Sequence, residues 1–220
     1  RTQLDQFHAL GMYGPACFPL PDSIVIHSHW QYRIKTSGKR RYRNCCDGSP
    51  RASPILHAMT ETFASCIEQP SACLFFALSA ALNYVLIGGD AQDAFAHSPA
   101  PRVPTFIGID DAYADWHTHR FKTAIDRRQV LPVMHALQGH PEAARLWEEH
   151  ITGILHEIGF RSTTHERNIY SARIRNVPVL LLRQVDYFAL ATPDPSIADE
   201  LYTAIGLKLQ LPGKDRPPFV

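Results

Sequence analysis

The sequence predicts an α+β fold. Strand-like segments come in hairpins with interspersed helices, instead of as regular strand–helix–strand units. One helix opens at Pro141 and closes at Gly159. Its apolar stripe of Ala144, Trp147, Ile151, Ile154, Leu155 and Ile158 marks one buried face. Near the C-terminal end, residues 179–182 and 188–191 read as a hairpin whose connection holds a single carboxylate, Asp186. A charge between two apolar strands is costly if it is buried without a partner.

In chain order, residues 1–23 are rich in Gly and Pro and are expected to form a connecting segment. Residues 24–35 carry Trp30 and Tyr32 and read as a strand, followed by a turn at Thr36-Ser-Gly38 and a return strand over 39–46. On that return strand Lys39, Arg41 and Arg43 share one face by period two. Such a ribbon is either an edge protected by charge or a phosphate-binding surface. Residues 57–68 and 71–86 look helical, and Gly88–Phe95 reads as a turn in which Asp90 and Asp93 are three positions apart. A Pro-rich loop over 97–104 leads to a short strand at 104–109 and a polar insertion over 110–129, with Asp110-Asp111 as a surface turn. Strands are expected at 130–137, 169–174 and 207–211, a helix at 196–205, and a linker stub at 213–220.

The 220 residues suffice for one substantial core or two small ones. The net charge of +1 carries no global argument about nucleic acid, so only a local basic patch can supply one. Five cysteines without a Cys-x-x-Cys spacing argue against a disulfide framework and for a reducing compartment. The longest apolar stretch, 72–87, is interrupted by Ser79 and Asn83 and is short for a bilayer span. No signal-peptide pattern is present, and the start at Arg1 with the close after Pro217-Pro-Phe219 reads as a piece excised from a longer polyprotein.

Two carboxylates suggest metal chemistry. Asp90 and Asp186 each follow an apolar segment, and both emerge at one sheet edge if their strands are neighbours. Magnesium takes oxygen ligands, usually one or two carboxylates plus substrate phosphates, and two such ions can clamp a phosphoryl transfer. The alternative is two unrelated surface aspartates. His27-x-His29 and His117-x-His119 with Cys45 or Cys46 suggest zinc, but no second close-spaced pair completes such a site. No P-loop and no Gly-x-Ser-x-Gly elbow occurs.

These segments together resemble the reverse transcriptase of copia-type LTR retrotransposons over roughly residues 30–212. Asp90-Ala-Gln-Asp-Ala-Phe95 is similar to that family's Asp-x-x-x-Ala-Phe block. Ala136-Leu-Gln-Gly-His-Pro-Glu-Ala-Ala-Arg-Leu-Trp147 resembles its Ala-Leu-Tyr-Gly-Leu-Lys-Gln-Ala-Pro-Arg-x-Trp block. Gly159-Phe160, Asn168-Ile-Tyr170 and the hairpin Arg41-Tyr-Arg-Asn-Cys-Cys-Asp-Gly48 follow the same order as in the family.

The resemblance implies a right-hand polymerase fold with fingers and a palm built on a ferredoxin-like antiparallel sheet, the thumb largely absent. Fingers would come from about 24–85 and parts of 97–140, and the palm from the rest of a single domain over 24–212. It implies two Mg²⁺ ions, replaceable by Mn²⁺, held by Asp90, the backbone of Ala91 and Asp186. Arg41 and Arg43 would hold the nucleoside triphosphate, with Asp93, Phe95 and Gln138 also at the nucleotide site and Phe95 under its sugar. Implied partners are a primed RNA or DNA template, deoxynucleoside triphosphates and the rest of a Pol polyprotein, with integrase and protease upstream and RNase H downstream. The implied setting is a cytoplasmic virus-like particle, with no membrane. One departure stands out. Where the family has Tyr-Val-Asp-Asp, this chain has Gln184-Val-Asp-Tyr187. A carboxylate is lost, which implies weakened metal binding and either an impaired polymerase or an inactive relic that at most binds nucleic acid.

Overall fold

A computed structural model of the chain describes residues 2–34, 36–38 and 40–209. In order they form α1 (Thr2–Ala9), β1 (Ile24–Ile26), β2 (Ser28–Ile34), β3 (Arg40–Cys46), α2 (Pro54–Met59) and α3 (Gln69–Ala81). There follow β4 (Val85–Asp90), a 3₁₀ turn (Ala94–His97), β5 (Thr105–Gly108), α4 (Asp111–Phe121), β6 (Val130–Pro132) and α5 (Ala143–Ile158). The chain closes with β7 (Arg161–Ser162), β8 (Ile169–Ile174), β9 (Val177–Gln184), β10 (Tyr187–Thr192) and α6 (Pro195–Leu209). The fold is α+β. It divides into two compact units, Arg1–Phe63 with Phe95–Trp147, and Ala64–Ala94 with Glu148–Val220.

The first unit holds a three-stranded sheet in the order β1-β5-β6, β1 parallel and β6 antiparallel to β5. Its core gathers Phe7, Met12, Ile26, Cys46, Leu56, Ile107, Leu131, Val133 and Leu137. The N-terminal segment is therefore packed, against the connecting role its composition suggests. Leu4, Phe7 and Met12 are buried, and Tyr13 and Cys17 bridge to Val133 and Val130. Burying each of those large apolar side chains is worth about 1.5–3 kcal/mol, enough to order a Gly- and Pro-rich segment. A separate two-stranded ribbon pairs β2 with β3.

The second unit is a fully antiparallel five-stranded sheet, order β4-β10-β9-β8-β7. Phe75 of α3 packs with Leu182, Ala189 and Ala191 on one face, beside Leu86 and Leu180. On the other face the Tyr202 ring of α6 lies where a Cβ on Gly89 would meet it at 2.9 Å, so a larger residue at that strand position would have to displace the ring. Arg175 and Asn176, both at positive φ, turn β8 into β9.

The sequence reading holds closely for β5, β8, β10 and α5. Within α5 the buried set is Ala143, Leu146, Trp147, Ile151, Ile154 and Leu155, one step round from the expected stripe at its start. Elsewhere the boundaries shift. The helix expected over 71–86 stops at Ala81, because Asn83 takes the left-handed conformation (φ 55°), and the apolar run continues as β4. The helix expected over 57–68 is only α2, displaced upstream behind Pro54 at its first turn. The polar insertion at 110–129 contains α4, and Asp110 is its N-cap instead of a surface turn. Pro132 ends β6 early. No strand starts at 207: α6 runs through Leu209, carried by buried Ile197, Ala198, Leu201 and Ile205 at helical spacing. Residues 210–220, including the rest of that expected strand and the linker stub, lie outside the described residues. No helix among the described residues is long and apolar enough to cross a membrane.

Candidate active site

β4 delivers Asp90 as its last residue, directly opposite Tyr187, the first residue of β10. Beyond that pair the Ala91 N–H donates to the Asp186 carbonyl at 2.8 Å. Bonded and non-bonded pairs alternate in an antiparallel ladder, so 91–186 is a bonded pair and 90–187 a non-bonded one. Opposed side chains of a non-bonded pair are close, with Cα atoms about 4.5 Å apart and on one face. Asp90 and Asp186 thus leave the sheet at the same end, and both are half-buried.

The hairpin that presents Asp186 has two connecting residues, Val185 and Asp186. Val185 sits at φ 56°, while Asp186 is not at positive φ. A two-residue hairpin with positive φ only at its first connecting residue normally has glycine there. A β-branched residue in that conformation is an outlier whose strain costs on the order of 1–3 kcal/mol, and such strain clusters at functional sites. Tyr187 follows, 54% exposed, in the position beside Asp90.

The donor chemistry fits one magnesium ion better than two. Two carboxylates at one sheet end, with the Ala91 backbone beside them, match the one or two carboxylates that Mg²⁺ usually takes from a protein. Among the described residues no group of three or more His, Cys, Asp or Glu is placed to hold a metal ion, and Tyr187 brings a phenol, not a carboxylate, to this sheet end. Asp93 lies exposed just beyond β4 at φ 50°. As for zinc, Cys45 and Cys46 are buried, and burial raises both thiols, that of Cys46 up to about 12. Thiols so raised are poor thiolate ligands.

The remaining expected residues lie in the first unit. In the ribbon Arg41 stands opposite Arg33 and Arg43 opposite Gln31. Gln138 joins the base of β3, since the Cys46 N–H donates to its carbonyl at 2.8 Å. That approach is tight. A Cβ on Gly139, itself at φ 92°, would fall 2.1 Å from the Cys46 carbonyl oxygen, and one on Gly48 would fall 2.5 Å from the Gly139 carbonyl oxygen. The phenyl ring of Phe95 is half-buried and packs with Ala136, Ala143 and Leu146.

Two polar clusters, one half-buried and one around a buried arginine, escaped the sequence reading. Asp110 caps α4 by accepting from the Tyr113 N–H (2.7 Å), and also accepts from the Ser28 hydroxyl (2.9 Å) and the Trp30 indole (3.1 Å). It thereby ties the ribbon's first strand to α4. Beside it Tyr13, Asn44 and Tyr113 line a cavity of about 10 Å³, the size of one water. An aspartate ahead of a helical run was the available signal. In the second unit Arg183 of β9 is almost wholly buried. It binds Glu148 (3.1 Å), Asn168 and Ser65, while its Nε has no partner among the described residues. A charged residue in the apolar run 180–190 was the signal there.

Compared with known proteins, the chain matches no protein-family model and no curated sequence.

Proposed function

We propose that the chain is the fingers-and-palm part of an RNA-directed DNA polymerase of the copia retrotransposon type, with a right-hand polymerase fold. In this reading the antiparallel sheet of the second unit is the palm and the β2–β3 ribbon belongs to the fingers. One observation carries it: the β4–β10 register sets Asp90 beside the Asp186 hairpin, in which a strained Val185 presents the carboxylate.

The reaction joins a primer 3′-hydroxyl to the α-phosphorus of a deoxynucleoside triphosphate and releases pyrophosphate. Asp90 and Asp186, next to the Ala91 backbone, are the carboxylates that would hold Mg²⁺, which when bound would supply Lewis-acid stabilisation of the phosphoryl oxygens. Arg41 and Arg43 neutralise the triphosphate, and Asp93, Phe95 and Gln138 shape the nucleotide site, as the family resemblance implies. A primed template, the remainder of a Pol polyprotein and a cytoplasmic particle complete the proposal.

A second reading, an inactive remnant that binds nucleic acid, is favoured by Tyr187, which removes a carboxylate from the hairpin. Primer extension on an RNA template with Mg²⁺ or Mn²⁺ separates the two, using the chain and its Tyr187→Asp variant, each with and without its downstream flanking sequence. Weak extension that Tyr187→Asp raises by tenfold or more, and Asp90→Asn abolishes, supports the polymerase. Extension that survives Asp90→Asn rejects this site, and no extension by any form favours the remnant.

A further inference from the structure

The β2–β3 ribbon has two chemically different faces. Alternation puts Gln31, Arg33 and Arg43 on one and Trp30, Tyr32, Ile34, Arg40 and Tyr42 on the other. At the base of the second face Trp30 is held by Asp110 and Asn44 is buried, so the ribbon is anchored there. Farther out Tyr32 and Tyr42 stand opposite each other, ring centroids 5.0 Å apart and tilted by 40°. They are 52% and 55% exposed, and Ile34 beyond them is 57% exposed.

The charge of the ribbon is all of one sign. Arg33, Lys35, Lys39, Arg40, Arg41 and Arg43 put six cations on eleven residues, with no Asp or Glu between Ser28 and Cys46. Among the described residues no carboxylate pairs with Arg33, Arg40 or Arg43. One or two charges suffice to keep a strand edge from aggregating. Six of one sign in a chain of net charge +1 repel one another and call for a polyanion. An acidic peptide would use the charge but not the paired aromatic rings. Single-stranded nucleic acid uses both, bases on the rings and phosphates on the cations.

We propose that the tyrosine face of this ribbon is a stacking platform for single-stranded nucleic acid, distinct from the arginine face assigned to the triphosphate. Unpaired bases stack on Tyr32 and Tyr42 while Arg40, on the same face, holds the backbone. Its binding needs neither a metal ion nor Asp90 and Asp186, so it holds for an active enzyme and for an inactive remnant alike.

Fluorescence anisotropy with labelled oligothymidylate and oligouridylate in EDTA tests it. Expected are binding that weakens with salt, a loss of about tenfold for Tyr32→Ala and again for Tyr42→Ala, and near-full retention for the Phe variants. Arg40→Gln should lower the slope of log affinity against log salt by about 0.7. Circular dichroism confirms that these exposed-site variants fold. Absence of binding, unchanged affinity in the double Tyr→Ala variant, or equal competition by polyglutamate overturns the proposal. A chain that binds strands but never extends a primer overturns the polymerase reading alone. One that extends primers with both tyrosines dispensable for binding overturns this inference alone.

Discussion

Asp90 stands directly across the β4–β10 ladder from Tyr187, in a non-bonded pair one step from the Ala91–Asp186 hydrogen bond. Tyr187→Asp would set two carboxylates side by side with Asp186 next to them. Like charges directly opposed in a sheet cost about 0.2–1 kcal/mol. The variant is therefore expected to melt lower than the unaltered chain in EDTA, and Mg²⁺ or Mn²⁺ should raise its melting temperature more. Thermal melts with and without metal check this apart from any activity. An identical metal response in both proteins would sink the claim that position 187 limits metal binding.

Glu148 and Arg183 test the buried cluster beneath the hairpin. Removing one partner leaves an uncompensated buried charge, which typically costs 3–5 kcal/mol, whereas replacing the whole set with apolar groups is often neutral. Glu148→Ala should lower stability by about 3 kcal/mol, and Arg183→Leu paired with Glu148→Leu by much less. Urea unfolding of the variants measures both, and equal losses would show that the ion pair itself is not the cause.

Gly139 and Gly153 should respond to alanine with opposite signs. At Gly139 a Cβ would strike the Cys46 carbonyl oxygen, and φ is 92°. Gly139→Ala must separate the 137–140 loop from β3, for a loss of more than about 1 kcal/mol. Gly153 is exposed inside α5 with nothing within 4 Å of its added Cβ. Gly153→Ala should stabilise by up to about 1 kcal/mol. Melting temperatures of the two variants decide the matter.

His140 makes acid stability specific. Its Nδ1 accepts from the Glu142 N–H, its Nε2 lies 3.2 Å from the Thr105 hydroxyl, and burial pushes its pKa down to about 4 from 6.5. The unfolded chain binds a proton between those values that the folded chain refuses. Stability that is full above pH 6.5 is therefore lost as the pH falls towards about 4. The loss is on the order of 3 kcal/mol over that window. In urea titrations at successive pH values, His140→Gln should flatten this part of the profile, and an unchanged profile would remove His140 as its source.

The chain's local patterns determined much of this. Helical spacing marked α5, apolar runs marked β9 and β10, and Asp90 and Asp186 stood out as carboxylates following apolar segments. Those signals are legible because burial of one face imposes a period on neighbouring residues. Packing between distant segments decided the rest. Leu4, Phe7 and Met12 order an N-terminus with a loop-like composition, and Asp110 becomes a cap only when Ser28 and Trp30 arrive from eighty residues upstream. The β4–β10 register that sets Asp90 against Tyr187 likewise depends on strands about a hundred residues apart. No local spacing encodes such a register, because it is selected by which apolar faces pack together once the chain has folded.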